Sequence, residues 1–408
     1  MALENNNLRR FTHRLAQPTL LAQLLNVLFA LGQILILTRV LDVSDYAKYG
    51  VLTAIWAIGN AVIGTSIGTR VARSAVLSGA KIQLTQRDVL TILLASLAST
   101  LYSVLAWQSV AVGVIAALTM ASFVLAEARA SLELGRRKYS SYLLVVALKS
   151  SFPVFALLGM SILAPSVSLS WAMVCIMVGN LFGAVGLGTS VWISKPMRET
   201  DYFTEWIGIL NFGLWIVSGA GRIVMDGRVP APEIAVFTLA YALTDRGFRS
   251  IQTAYVARNL ANAFEGRFRQ STRNWILLSV SLCVVAVLLI PEVTFLVSGG
   301  RYTATWSLAI TLCSASAVMF ASAPLYLKVI ATNRTKLAAF MSLAIAIASV
   351  AVNFTVVRVG GSNAVSLVLL CSYVCWIAGL ALLCKQRKTT RRVKEQFEDI
   401  DQHVEPGA

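Results

Sequence analysis

Residues 20–38 form an apolar run that ends in Arg39, and residues 49–67 form a second run that closes on Thr69 and Arg70. Each holds 19 residues, which at a helical rise of about 1.5 Å per residue covers roughly the 30 Å hydrocarbon layer of a bilayer. The polar turn between them, residues 40–48, carries Asp42, Asp45 and Lys48. A chain written this way leaves the membrane at the turn and returns at once.

The same alternation continues to the end of the chain. Apolar runs and polar breaks predict twelve transmembrane helices at 18–39, 47–68, 89–107, 110–128, 141–163, 169–193, 204–221, 233–254, 275–297, 305–327, 337–357 and 363–384. Of 408 residues, 57% are hydrophobic and 13% charged, about half the charged share of a soluble domain. An all-α polytopic membrane protein is therefore expected. The first run follows Arg9, Arg10 and Arg14 but is too long for a signal peptide and has no small-residue cleavage site, so it counts as the first helix. Five of the six cysteines sit inside apolar runs, which excludes a disulfide framework, and the spacing of Cys371 and Cys375 is no zinc motif.

Net charge is +16, and the placement of the charges carries the information. With the N-terminus inside, twenty-six of the 35 Lys and Arg residues fall on the cytoplasmic side. They are Arg9, Arg10, Arg14; Arg70, Arg73, Lys81, Arg87; Arg129, Arg136, Arg137, Lys138; Lys195, Arg198; Arg258, Arg267, Arg269, Arg273; Lys328, Arg334, Lys336; and Lys385, Arg387, Lys388, Arg391, Arg392, Lys394. Only Arg39, Lys48, Arg222, Arg228, Arg301 and Arg358 fall outside. That bias puts both termini in the cytoplasm, and it argues against nucleic acid as a partner. The tail 385–408 turns from basic to acidic and reads as a partly disordered cytoplasmic end.

A weak internal repeat accompanies the alternation. Residues 45–49 open the second span as residues 233–237 open the eighth, and Leu25-Asn26 precedes Arg39 as Leu210-Asn211 precedes Arg222. The repeat divides the chain into an N-terminal six-helix bundle, 1–194, a cytoplasmic linker, 195–203, and a C-terminal bundle, 204–384. Six spans per half give both halves one orientation, the arrangement of transporters that alternate access between parallel repeats. Gly64 with Gly68 and Gly179 with Gly183 are small-xxx-small pairs, read as helix packing. The outer loops are too short to fold as a catalytic domain, His13 and His403 are both terminal, and no phosphate-binding loop occurs. These features speak against an enzyme such as a glycan polymerase or ligase, and no cofactor is implied.

Residues 39–50, Arg-Val-Leu-Asp-Val-Ser-Asp-Tyr-Ala-Lys-Tyr-Gly, resemble the first outer turn of the polysaccharide transporters (Wzx-like flippases) in the multidrug/oligosaccharidyl-lipid/polysaccharide exporter superfamily. Gly300-Arg301-Tyr302, Asn333-Arg334-Thr335-Lys336, Asn353 and Gly360-Gly361-Ser362-Asn363-Ala364 resemble that family's C-terminal half; Val365 stands where a second small residue is usual. The resemblance implies two six-helix bundles around a central cavity. It implies a flippase for undecaprenyl-pyrophosphate-linked oligosaccharide repeat units in the bacterial inner membrane, serving O-antigen or exopolysaccharide synthesis beside a polymerase and a chain-length regulator. A cation-coupled multidrug antiporter of the same superfamily is the alternative.

Such a substrate needs a cationic, polar passage, and ionisable side chains within spans are its candidates. Lys149 lies roughly 10 Å inside span five, and Arg246 roughly 20 Å down span eight from its outer start. Arg246 has no acid four residues away, so it is the leading anion contact. Arg249 is four residues from Asp245, which either leaves it free for substrate or neutralises it. Lys149 either faces the passage or snorkels to the interface. Gln23, Asn26 and Gln33 share a face of span one, and Asn211 with Ser218 repeats the pattern in span seven. Both sets either line the passage or bond neighbouring helices. Trp206 and Trp215 offer sugar stacking or interface anchoring, and Arg39 and Arg222 either receive the pyrophosphate on release or mark the interface. Glu127 is a candidate proton carrier if buried.

Overall fold

The computed structural model describes residues 18–403 except 79–81, 165, 186–190, 195–201, 265–271 and 333. Arg9, Arg10, His13, Arg14, Lys81, Lys195, Arg198, Arg267, Arg269 and Asn333 lie outside the described residues, as does most of the expected linker.

The chain is an all-α membrane protein with one small pair of strands. Its helices are α1 (Pro18–Val40), α2 (Val43–Ser78), α3 (Gln86–Trp107), α4 (Val110–Gly135), α5 (Tyr139–Leu163), α6 (Leu169–Val185), α7 (Tyr202–Met225), α8 (Ala231–Phe264), α9 (Thr272–Val297), α10 (Trp306–Ala321), α11 (Ala323–Ala331) and α12 (Thr335–His403). Eight apolar helical stretches among the described residues are long enough to cross a membrane, one of them covering the last two expected spans. Turns near Asp42, Gln108, Gly227 and Gly300 mark one end of the helices, here the hairpin face; Arg137 and the C-terminal helix mark the opposite, tail face.

Boundaries differ from the sequence reading: α2, α4 and α8 run on to Ser78, Gly135 and Phe264 rather than ending at 68, 128 and 254, and three further differences have local reasons. The sixth span ends at Val185, not 193: the Gly186-x-Gly188 step disfavours helix, and β-branched and aromatic residues beyond it form β2 (Val191–Ser194). That strand pairs in parallel with β1 (Ile82–Thr85), Ile82 opposite Val191 and Thr85 opposite Ser194. The tenth span breaks at Ser322, because Pro324 has no N–H to return to the Phe320 carbonyl. Trp275 Nε1 donates to that carbonyl instead, at 2.8 Å. The eleventh and twelfth spans run together in α12 and bend at Gly361, whose φ of 53° and ψ of −140° suit glycine.

Helix packing follows the small residues. Gly179 on α6 meets α5 where Pro153 interrupts its ladder; a Cβ there would lie 2.6 Å from Pro153 Cδ and 3.1 Å from the Lys149 carbonyl. At Gly183 it would lie 2.9 Å from Lys149 Cβ. α2 packs against α4, α7 and α8, and α7 packs along α12, so α2, α7 and α8 join the two ends of the chain. A buried core around Leu37, Tyr46 and Leu52 on α1 and α2 takes in Leu239 of α8 and Tyr302.

Two contact sets bridge the hairpin face. Asp226, after α7, accepts from Tyr102 Oη and Trp107 Nε1 of α3, both at 2.8 Å. On the other side Arg301 donates to the carbonyls of Thr38, Arg39 and Leu41 at 2.9, 3.0 and 2.9 Å. These are the orphan acceptors at the end of α1, where a cation also meets the negative end of the helix dipole. Tyr46 stacks on Tyr302 beside them, ring centroids 5.7 Å apart.

Candidate substrate cavity

A cavity of about 430 Å³ runs between the helices from Tyr46 and Arg222, toward the hairpin face, to Gln23 and Thr253, toward the tail face. Helices α1, α2, α4, α5, α6, α7 and α8 contribute to its walls. Polar residues of two helices face this space: Tyr49 and Thr53 on α2, and Thr238, Tyr241, Asp245, Arg246 and Arg249 on α8.

Arg246, Arg249, Lys149, Arg222, Asn26 and Gln33 are brought together on these walls; Asn211 and Arg39 are not. Arg246 is half-buried and, among the described residues, has no ion pair and no side-chain hydrogen bond. Arg222 is 5% exposed. One of its amino groups donates to the Gly50 carbonyl and Thr53 Oγ1 at 3.3 and 3.1 Å, and its guanidinium lies 4.8 Å from the centre of the Tyr241 ring. Its Nε has no acceptor, and no described carboxylate lies within ion-pair distance. Both guanidinium groups lie near Tyr46 and Tyr49 and interact with them electrostatically.

The remaining cations are paired. Arg249 holds Asp245 in a fork, Nε to both carboxylate oxygens at 3.1 and 2.9 Å and an amino group at 2.8 Å, and lies 4.0 Å from the centre of the Trp215 ring. Neutralisation is thus the reading its geometry follows. Lys149 pairs with Glu127 and sits 4.3 Å from the centre of the Phe123 ring, so it does not snorkel out as a free cation. Arg129, next in sequence to the Glu127 region, pairs with Glu133 at 2.8 Å instead.

The polar stripe of α1 serves both purposes considered for it. Gln33 donates to Tyr49 Oη at 3.1 Å, Gln23 donates to Tyr142 Oη at 3.1 Å, and Asn26 accepts from Ser150 Oγ at 2.9 Å. All three also line the cavity. Asn211 lies on α7 away from it, and Ser218 is turned to the Trp215 carbonyl. Trp206 stands beside Lys336 and Phe340, while Trp215 lines the cavity. Arg39 is exposed on the hairpin face and donates to the Val297 and Leu296 carbonyls at 3.2 and 3.0 Å. The two arginines that match in sequence therefore differ in place: one closes the end of α9, the other is buried in the cavity wall.

Sequence reasoning missed Tyr46, Tyr49, Trp56, Thr119, Asn180, Thr238 and Tyr241, all on the cavity wall. The four α2 residues Tyr46, Tyr49, Thr53 and Trp56 are spaced three, four and three apart, which places them on one helical face. That spacing was a usable signal. Asn180 had none beyond its place between two packing glycines.

No family model matches the chain, and no curated protein sequence matches it. Among solved structures it is similar to an inward-facing multidrug resistance MATE family transporter of the MOP superfamily: 14% identity over 90% of this chain and 96% of that one, TM-score 0.55. An outward-facing MATE family transporter gives 12% identity over 92% and 95%, with a TM-score of 0.55. MATE in the straight conformation gives 12% over 93% and 96%, with a TM-score of 0.53. The chain has the MATE fold. At this identity the likeness shows the fold alone. The fold agrees with the expected all-helical, multi-pass membrane protein.

Proposed function

We propose that the protein is a transporter, not an enzyme, and that it carries an anionic headgroup through the cavity from the tail face to the hairpin face. The single observation behind this reading is that Arg246 and Arg222 line the cavity with no ion-pair partner among the described residues. An uncompensated charge in a low-dielectric interior is costly, by several kcal/mol, and a ligand phosphate returns that energy through charge-assisted hydrogen bonds. With the basic loops inside, the movement is outward, and an inside-negative potential favours it by about 2.3 kcal/mol per charge per 100 mV. The substrate we assign is an undecaprenyl-pyrophosphate-linked oligosaccharide, flipped across a bacterial inner membrane between an N-terminal and a C-terminal six-helix bundle. A polysaccharide polymerase and a chain-length regulator are its proposed partners.

The test is Arg246→Ala in a host that makes the surface polysaccharide. We expect export to fall at least about tenfold, as for a lost charged hydrogen bond, with protein level unchanged and lipid-linked repeat units accumulating inside. Full export by that variant sinks the assignment.

A second reading, a cation-coupled multidrug antiporter, draws on what the structural neighbours are called. Asp245, the carboxylate on the cavity wall, is already held by Arg249, and Glu127 is held by the wall's Lys149, so a cationic drug would have to displace one. Dye efflux from proteoliposomes separates the two: the antiporter reading requires efflux that rises when Arg246 is removed.

A further inference from the structure

A second cationic surface lies on the tail face, away from the cavity. The start of α7, the end of α11 and the start of α12 close there over a core around Trp376 and Leu380, and Trp206, Leu383 and Cys384 pack against it. None of these residues lines the cavity.

Cations ring this core. Lys336, in the first turn of α12, stands over the Trp206 indole, 5.4 Å from its centre, and Phe340, one turn on, lies with its ring centre 5.4 Å from the same indole. The Arg334 backbone N–H donates to the Val329 carbonyl at 3.2 Å, which folds the end of α11 back against the start of α12. The Arg334 side chain donates to the Leu383 carbonyl at 2.6 Å. Lys328, in the last turn of α11, and Arg334 both act electrostatically on the Cys384 thiol. Lys328 is half-buried, and neither it nor Lys336 has an ion pair among the described residues.

Toward the membrane from Lys336 the surface is apolar and open, with Leu337 and Phe340 at 54% and 53% exposure. Snorkelling accounts for a single lysine above an interfacial tryptophan. It leaves the half-buried Lys328 without a counter-charge, which a phosphodiester supplies through charge-assisted hydrogen bonds. The unpaired N–H groups at the start of α12 favour an anion at the same place. Basic pockets between transmembrane helices are suited to acidic lipid headgroups.

We propose that the ends of α7, α11 and α12 bind one anionic phospholipid of the tail-side leaflet, its headgroup on Lys328 and Lys336 and an acyl chain along Leu337 and Phe340 beside Trp206. The lipid fastens α11 to α12 from outside. The site does not depend on what the cavity carries.

The test is native mass spectrometry of the full chain released from nanodiscs that hold equal amounts of phosphatidylglycerol and phosphatidylcholine. The native protein should retain one phosphatidylglycerol in preference to phosphatidylcholine. Lys328→Gln with Lys336→Gln should lower the retained ratio of the two lipids at least about fivefold, the effect of one lysine near an anionic surface. Arg137→Gln with Lys138→Gln removes the same charge from another exposed part of the tail face and should leave the ratio unchanged, as should Arg246→Ala in the cavity. Excess glycerol phosphate should not displace the lipid, since it lacks the chain that Leu337 and Phe340 receive. Elution profile and thermal transition certify folding, and Lys336→Gln alone replaces the double variant if that fails to fold. Equal retention by the native protein and the lysine variant overturns the proposal. So does an equal loss in the Arg137 and Lys138 variant, displacement by glycerol phosphate, or loss in Arg246→Ala, which would put the lipid in the cavity.

Discussion

The Asp45 carboxylate accepts the backbone N–H of Leu169 at 3.1 Å, so the acid that opens α2 closes the start of α6. Glu233, which opens α8, does the same for Ser362 at 2.6 Å, where α12 resumes after its bend. Orphan N–H groups at a helix start carry partial positive charge and favour a carboxylate. Spans two and six are thus linked as spans eight and twelve are.

Each of these caps makes a stability prediction. Glu233→Ala should lower stability by about 1.5–3 kcal/mol, the range for a hydrogen bond to a charged group, and Asp45→Ala by less, since its bond is longer. Because the two sites share no partner, the double variant should lose close to the sum. Thermal unfolding in detergent measures both, and a double variant no worse than Glu233→Ala would break the equivalence.

The bridges across the hairpin face make a conformational prediction. Asp226→Ala removes the acceptor of both Tyr102 and Trp107, and Arg301→Ala frees three carbonyls of α1. Spin labels at Gln108 and Pro230, in a background lacking the six native cysteines, should show a new, longer distance component in either variant. Losing about 1.5–3 kcal/mol shifts a two-state balance at least about tenfold. An unchanged distance distribution in both would mean that these contacts do not hold the face shut.

Asp245 and Arg249 lend themselves to a double-mutant cycle. Removing Asp245 leaves Arg249 in the cavity beside Arg222 and Arg246, neither of which has an ion-pair partner among the described residues, so Asp245→Ala should cost about 2 kcal/mol. Asp245→Ala with Arg249→Ala should recover most of it, because no isolated charge remains. Unfolding of the three variants decides; strict additivity would show that the fork contributes no coupling.

The spans were legible because an apolar run of bilayer length has few other uses. What stayed hidden was the cavity itself. α2 and α8 carry the polar residues that face it, and sequence alone showed where these helices run but not that Tyr49 and Tyr241 would share one space. Arg39 and Arg222 look equivalent along the chain, yet one is spent on the carbonyls ending α9 and the other is buried behind Thr53; only the packing of α2 on α7 separates them. Lys149 and Glu127 are 22 residues apart, beyond any helical spacing rule, so their pairing could not be read from either helix. The Gly361 bend shows in the sequence only as a glycine pair between two spans, because φ above zero and a full break look alike in one dimension.

The parallel rungs from Ile82 to Thr85 have a mechanical meaning. They fasten the chain just after α6 to the approach of α3, so the tether between Ser194 and Tyr202 is only residues 195–201. Seven residues pulled straight reach about 25 Å at most. Any displacement of α7 relative to the strand pair is held within that reach, and inserting residues between Ser194 and Tyr202 relaxes the limit.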